Sequence, residues 1–450
     1  MNEWSEAERR VERAHELYEA GRWDEAEREL REALTLNPYK AEWHFNLGLT
    51  LEAAGRHEDA INAFEGAHKL DPSDTQALMA MAVNALRADR PEAALAWLDQ
   101  SIEVDADRAE AFIHRIEAFT RLGRHDDAEL SFYQALQLEN SDPENAQAYA
   151  NMGEALMERS EHERAIFCFR EAASLDPTLP RINGRLAQAC AATGRHERAR
   201  KLFMSELRDN PGDVDTLLDF GDLLVDMHRY AEAGEKYRRV LEIDPHHADA
   251  HFALADLSRR QHRFDQALAG YALVLKLDPM HPEASRRIAS LLLARGDQSR
   301  AIDHLRAELS RLRDRPRDFI DDDVRELGDL LLQAKLPRQA TRVFRVLVDR
   351  REDDAEAWHA LSVALFESGR RDDGLHAARR ALRLHPEHIQ ALHNTAMALA
   401  QDRSWSRASA YVKRALTIDP DDTLLRRLMM TIRIKRAFCL LAGPFTRRGR

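Results

Sequence analysis

Apolar and small residues return along the chain with a period of 34, and each period holds two runs at helical spacing parted by a short break. The most regular position is a small one. It is Ala26, Ala60, Ala94 and Ala128, then Ala165, Ala199, Ala233, Ala267 and Ala301, then Ala340, Gly374 and Ala408. Four residues on, on the same helix face, stands a large side chain such as Leu30, Phe64, Phe169, Tyr237, Tyr271 or Phe344, with the smaller Ala378 and Val412 in the last two periods. Twelve residues before each alanine lies a second tight spot in the first run, among them Ala14, Gly48, Gly153, Gly221, Ala255 and Gly328. Small residues at two contact points predict paired helices in close approach, where a bulky side chain would overpack. A proline closes eight of the twelve periods, Pro38, Pro72 and Pro420 among them, and predicts that the second helix stops there.

The second period, AEWHFNLGLTLEAAGRHEDAINAFEGAHKLDPSD, carries the whole pattern, with Gly55 in the turn, Ala60, Phe64 and Ala67 on the second helix, and Pro72 at the close. On these residues the chain resembles the tetratricopeptide repeat (TPR) family. The resemblance implies an all-α fold, a right-handed α-α superhelix of helix-turn-helix units whose first helices line a concave groove that binds protein segments. The lead-in is 1–6, repeats 1–4 fill 7–142, repeats 5–9 fill 146–315 and repeats 10–12 fill 321–422. Insertions at 143–145 and 316–320, each with a proline, alter the pitch locally, and a basic capping helix and tail occupy 423–450. One continuous solenoid is the main expectation, a hinge near 311–323 the alternative. Repeat 9 lacks the closing proline, which predicts a longer second helix.

By the resemblance, groove-facing side chains are the second, fifth, sixth, ninth, twelfth and thirteenth of each unit, and these positions share one helix face. In repeats 2 to 4 they give Phe45, Leu49, Met79, Val83 and Ile113, an apolar strip rimmed by Glu42, Glu110 and Glu117. The strip suggests a site for a peptide or helix, against the plainer reading that it packs on neighbouring first helices. Repeat 7 places Asp215, Asp219, Asp222 and Asp226 along one face. They could hold a basic segment or a metal, but salt bridges to Arg181 and Arg185 before them, or to Arg259, Arg260, Arg286 and Arg287 after them, are the simpler expectation. Asn46, Asn151 and Asn394 take the sixth position, yet Ala80, His114, Arg185 and Asp219 interrupt any asparagine ladder. The lysine and asparagine pattern of a carboxylate clamp is also missing.

Composition narrows the function further. With 44% hydrophobic and 32% charged residues the chain is no disordered polymer, and a net charge of -12 argues against a phosphate-backbone partner, so no nucleic acid is expected. No apolar stretch is long enough to span a bilayer and no secretory leader opens the chain, so the expected compartment is cytoplasmic. Cys168, Cys190 and Cys439 form no pair at metal spacing, and Cys190 falls on a packing position. His57, His125, His162 and His196 stand where other repeats have an aromatic, and His246-His247 lies in a turn without a carboxylate at ligand spacing. Asp321, Asp322 and Asp323 read as a solvated helix start. No catalytic residue, metal site or cofactor is expected.

The segment 423–450 holds eight Lys or Arg and no acid, among them Arg426, Arg433, Lys435 and Arg447, interleaved with Leu425, Met429 and Ile432. It reads first as a cap on repeat 12; contact with an anionic membrane surface, an acidic partner or a second copy is the sharper alternative. The reading of the whole is a non-catalytic protein-protein interaction scaffold. A substrate-recruiting or accessory subunit of a separate enzyme, such as a glycosyltransferase system, is the second reading, and a membrane-surface assembly scaffold the third.

Overall fold

The computed structural model describes residues 3–138 and 141–442, with the side chains of 3–5 and 438–442 left aside. Among the described residues there are twenty-five α-helices, one short 3-10 turn and no strand. The chain divides into two compact units, Met1–Ile243 and Asp244–Arg450. The first holds seven helix pairs; the second holds five pairs and a closing helix.

Within a repeat the pattern of small and large positions becomes one packing rule. In repeat 2 the first helix is Ala41–Ala53 and the second His57–Leu70. A methyl group built on Gly48 would stand 2.5 Å from the ring of Phe64, so the glycine is the slot into which the aromatic of the second helix fits. Repeat 5 repeats the arrangement, with Gly153 against Phe169 at the same 2.5 Å. Ala60 and Ala165, one turn before those aromatics, are fully buried, which lets the two backbones close on each other.

The turn between paired helices explains another regularity. Gly55 has φ +74°, and Arg56 N–H donates to the Leu51 carbonyl at 2.9 Å while Gly55 N–H donates to that of Glu52 at 2.9 Å, a Schellman cap. At the same place in repeat 10 stands Lys335, also left-handed at φ 57° and exposed. A side chain is disfavoured there by about 1 kcal/mol. Lys335→Gly is therefore expected to raise stability by about that amount in urea denaturation, and a loss would show that the lysine side chain matters to the turn.

The second helices end where an extended residue precedes proline, as at Asp71 before Pro72. Asp71 then accepts from Ser73 N–H at 3.1 Å and from its hydroxyl at 2.7 Å, which turns the chain into the next repeat. Residues 143–145 do not interrupt a helix. They lie in Asp142–Glu158, 17 residues long, where Pro143 needs no amide partner in the first turn and Ser141 and Glu144 form a capping box. The stretch 316–320 holds the 3-10 turn Pro316–Asp318. The second helix of repeat 9, Gln298–Asp314, has 17 residues against 14 in repeat 8, as the missing proline predicts.

The closing helix, Thr423–Ala442, buries Leu425, Met429 and Ile432 in one cluster with Ala408 and Val412 of repeat 12, and so caps it. Its outer side exposes Leu424, Met430 and Ile434 beside Arg433 and Lys435. No described helix is long and apolar enough to cross a membrane. Arg447 and the side chain of Cys439 lie outside the described residues.

Candidate functional site

The first helices of repeats 1 and 2, Glu3–Glu19 and Ala41–Ala53, leave a cavity of about 180 Å³ between them. Val11, Ala14, His15 and Tyr18 form one wall, Asn46, Leu49 and Thr50 the other, and Leu30 is also part of the lining. Leu49 is 36% exposed, an apolar side chain held out at the cavity. Phe45 is half-buried and meets the Phe64 ring edge-on at 5.1 Å, so it braces the helix that presents Asn46 and Leu49.

The rest of the expected apolar strip is placed differently. Met79 is 7% and Ile113 3% exposed, and Val83 is half-buried. Met79 and Ile113 are thus enclosed, and Asn151 is buried as well, donating to the Ile113 carbonyl at 3.1 Å. The structure thus brings Asn46 and Leu49 to one open pocket, with Phe45 as support, and leaves Met79 and Ile113 little surface for a partner.

The aspartates of repeat 7 are largely engaged. Arg181 reaches Asp213 at 3.2 Å, Asp215 at 2.7 Å and Asp219 at 3.7 Å, and Gln188 donates to Asp219 at 2.6 Å. Burial raises the Asp219 carboxyl above its ordinary range against the pull of Gln188 and Arg181, with Asp222 and Asp215 adding to the rise. Asp222 accepts from the Tyr237 hydroxyl at 2.6 Å, and Asp226 is exposed. Of the other arginines considered as partners, Arg185 binds Glu154 at 3.0 Å, and Arg259 and Arg260 bind Asp256 on their own helix at 2.8 and 2.9 Å.

Arg286 departs most from a groove residue. Its side chain is 1% exposed and lies among Asp323 at 2.5 Å, Glu326 at 3.0 Å and Glu308 at 3.4 Å, while donating to the Pro282 carbonyl at 2.7 Å. Arg311 pairs with Glu308 at 3.0 Å and sits 4.7 Å from the ring centre of Phe319. Asp323 is consequently part of a buried ionic cluster rather than a solvated helix start, and Asp321 pairs with Arg350 at 3.2 Å. Five charged groups and an aromatic join repeats 9 and 10 around the segment 316–320.

The two described thiols are unsuited to nucleophilic chemistry. Burial pushes Cys168 up to about 11 and raises Cys190 as well, so both stay protonated at neutral pH. His57 opens a second helix and its Nδ1 lies 2.9 Å from the Asn84 side-chain oxygen, a structural contact.

Two models described as tetratricopeptide repeat match the chain, one over residues 11–75 and 359–423, the other over 51–113, 156–218 and 224–291. A peroxisomal targeting signal receptor of Eremothecium gossypii is 24% identical over 204 residues, 45% of this chain and 35% of that protein. The chain thus matches about a third of that relative's length. Among solved structures, yeast Tom70 is similar with a TM-score of 0.49 and 14% identity, covering 88% of this chain and 96% of its own. A thermophilic TPR protein of Thermus thermophilus is similar with a TM-score of 0.38 and 23% identity, covering 41% of this chain and all of its own.

Proposed function

Because the chain belongs to the tetratricopeptide repeat family, we propose that it is a non-catalytic scaffold that holds an extended or helical segment of another protein on its first helices. That it is a protein-interaction scaffold follows from the repeats. The place of binding rests on one observation, the open cavity between the first helices of repeats 1 and 2 with Leu49 and Tyr18 on its walls. Its size suits one apolar side chain of a bound segment, and Asn46 and His15 offer polar groups beside it. The similar receptor is named for a targeting signal, which supports a short signal-like segment as the ligand class.

The test is Leu49→Glu. The side chain is already 36% exposed, so helicity by circular dichroism should be unchanged, while affinity for a captured partner should fall by at least about tenfold. Partners retained with unchanged affinity would remove the pocket from the binding site. Met79→Glu does not serve as a surface variant, since it would bury a charge.

The scaffold reading extends to recruitment of substrates for a separate enzyme, with the cytoplasm as its compartment. The exposed Arg433, Lys435 and Arg436, beside Met430 and Ile434, support a second contact with an acidic partner or anionic membrane surface through the closing helix.

A further inference from the structure

Three side chains of the second unit, outside the pocket described above, converge where repeats 11 and 12 meet. Glu356 and His359 stand on the first helix of repeat 11, Ala355–Glu367, and His388 caps the first helix of repeat 12, Ile389–Gln401. A ligand atom from each lies within 4.8 Å of the other two. We propose that Glu356, His359 and His388 form a binding site for a divalent transition-metal ion of the zinc type.

The first support is the unpartnered second nitrogen of His388. At this position Asp74 accepts from Gln76 N–H at 2.9 Å and Asp354 from Glu356 N–H at 2.8 Å, while His247, like His388, makes only a longer contact, to Ala250 N–H at 3.4 Å. His388 Nδ1 faces Ala391 N–H at 3.4 Å, long for a hydrogen bond. Its other nitrogen, Nε2, is buried without a hydrogen-bond partner although the Glu356 carboxylate is 3.2 Å away, and the residue is 4% exposed. A carboxylate oxygen and an imidazole nitrogen at that distance, not aligned as donor and acceptor, are spaced as two ligands of one tetrahedral ion, about 3.3 Å apart for bonds of about 2.0 Å.

The second support is an internal comparison. Repeats 8 and 9 carry the same pair in the same register, His281 Nε2 with Asp249 at 3.4 Å, but the third place is Phe252, stacked on His281 with ring centres 4.6 Å apart. In repeats 11 and 12 that place is His359, whose ring centre is 4.5 Å from that of His388. One aromatic is thus exchanged for a second imidazole against an otherwise repeated contact. The Asn394 amide nitrogen lies 3.2 Å from His359 Nε2.

The charge and access also suit a cation. Glu356 is 61% exposed in its side chain, which supplies the one negative charge and an open side for entry and a fourth ligand. On binding at Nε2, the ring proton of His388 resides on Nδ1 and the long capping contact is given up, so one weak hydrogen bond is exchanged for the metal bond. Glu356 and His359 stand three residues apart on one helix, and His388 comes from the start of the next repeat.

The full chain, stripped with a chelator, would be titrated with Zn²⁺ against a chromophoric competitor, and with Co²⁺ for its visible absorption. One tight site is expected in the wild type, with affinity at least about tenfold lower in His359→Phe, in Glu356→Gln and in His388→Asn. His359→Phe copies Phe252 of the equivalent junction and His388→Asn retains a capping side chain, so both are expected to fold, with helicity as the check. Equal binding by wild type and His359→Phe would assign the metal to other histidines and overturn the proposal. So would the absence of a tight site in the wild type, which would leave only the His388–Glu356 ion pair.

Discussion

Arg286→Ala should lower the stability of the protein by about 3–5 kcal/mol, because it takes from the buried Glu308 one of its two cations and empties a buried site. The guanidinium is 1% exposed, and Glu308, which it shares with Arg311, is 3% exposed in its side chain. Burial raises the Glu308 carboxyl against the pull of Arg311 and Arg286, so this group resists ionisation in its place and depends on both cations to carry its charge. Asp323 and Glu326 are 20% and 33% exposed in their side chains and can recover water when the arginine is lost; Glu308 cannot. The triple variant Arg286→Met/Glu308→Leu/Arg311→Met should therefore be more stable than Arg286→Ala, since it removes the buried acid together with both of its cations. Urea denaturation of the full chain measures both. A single variant within about 0.5 kcal/mol of wild type would mean that the cluster is hydrated and not a structural joint.

Ala165→Arg should destabilise the first unit by about 3 kcal/mol or more. Ala165 is fully buried one turn before Phe169, whose ring already fills the slot left by Gly153. No space remains for a longer side chain, and a guanidinium there would be buried. Separated helices in the variant would also expose Ile166 and Cys168, which are buried beside it. A midpoint equal to wild type would show that the alanine series does not mark the helix contact.

Why the alanine series could be read from the chain, and Arg286 could not, has a physical reason. Ala165 and Phe169 act through contacts inside one repeat, so their spacing is local and returns every 34 residues. Arg286 meets Glu326 and Asp323, 40 and 37 residues away, across the irregular segment 316–320, and only the fold around that segment decides which acids it finds. Met79 and Ile113 occupy the groove register by sequence, but how far successive first helices cover them depends on the angle between repeats. The sequence pattern does not record that angle. His388 does not stand out in the sequence, because His247 and His281 hold the same position of their repeats; its partners Glu356 and His359 lie 32 and 29 residues earlier, beyond any ligand motif confined to one helix.

The pocket has the opposite character. Asn46 and Leu49 stand out by their position in the repeat, but the cavity depends on His15 and Tyr18 of the preceding first helix, one repeat before the apolar strip begins. A pocket formed by two repeats needs both its walls.

The central claim is that a protein segment is held on the first helices of repeats 1 and 2. Its most direct test is site-specific photo-cross-linking from Leu49, compared with Tyr133 on a second helix, which is 51% exposed and far from the pocket lining, with cross-linked peptides identified by mass spectrometry. The account expects a defined segment of one partner cross-linked from position 49 and absent from position 133. The same partner peptides from both positions, or partners captured only from position 133, would contradict it.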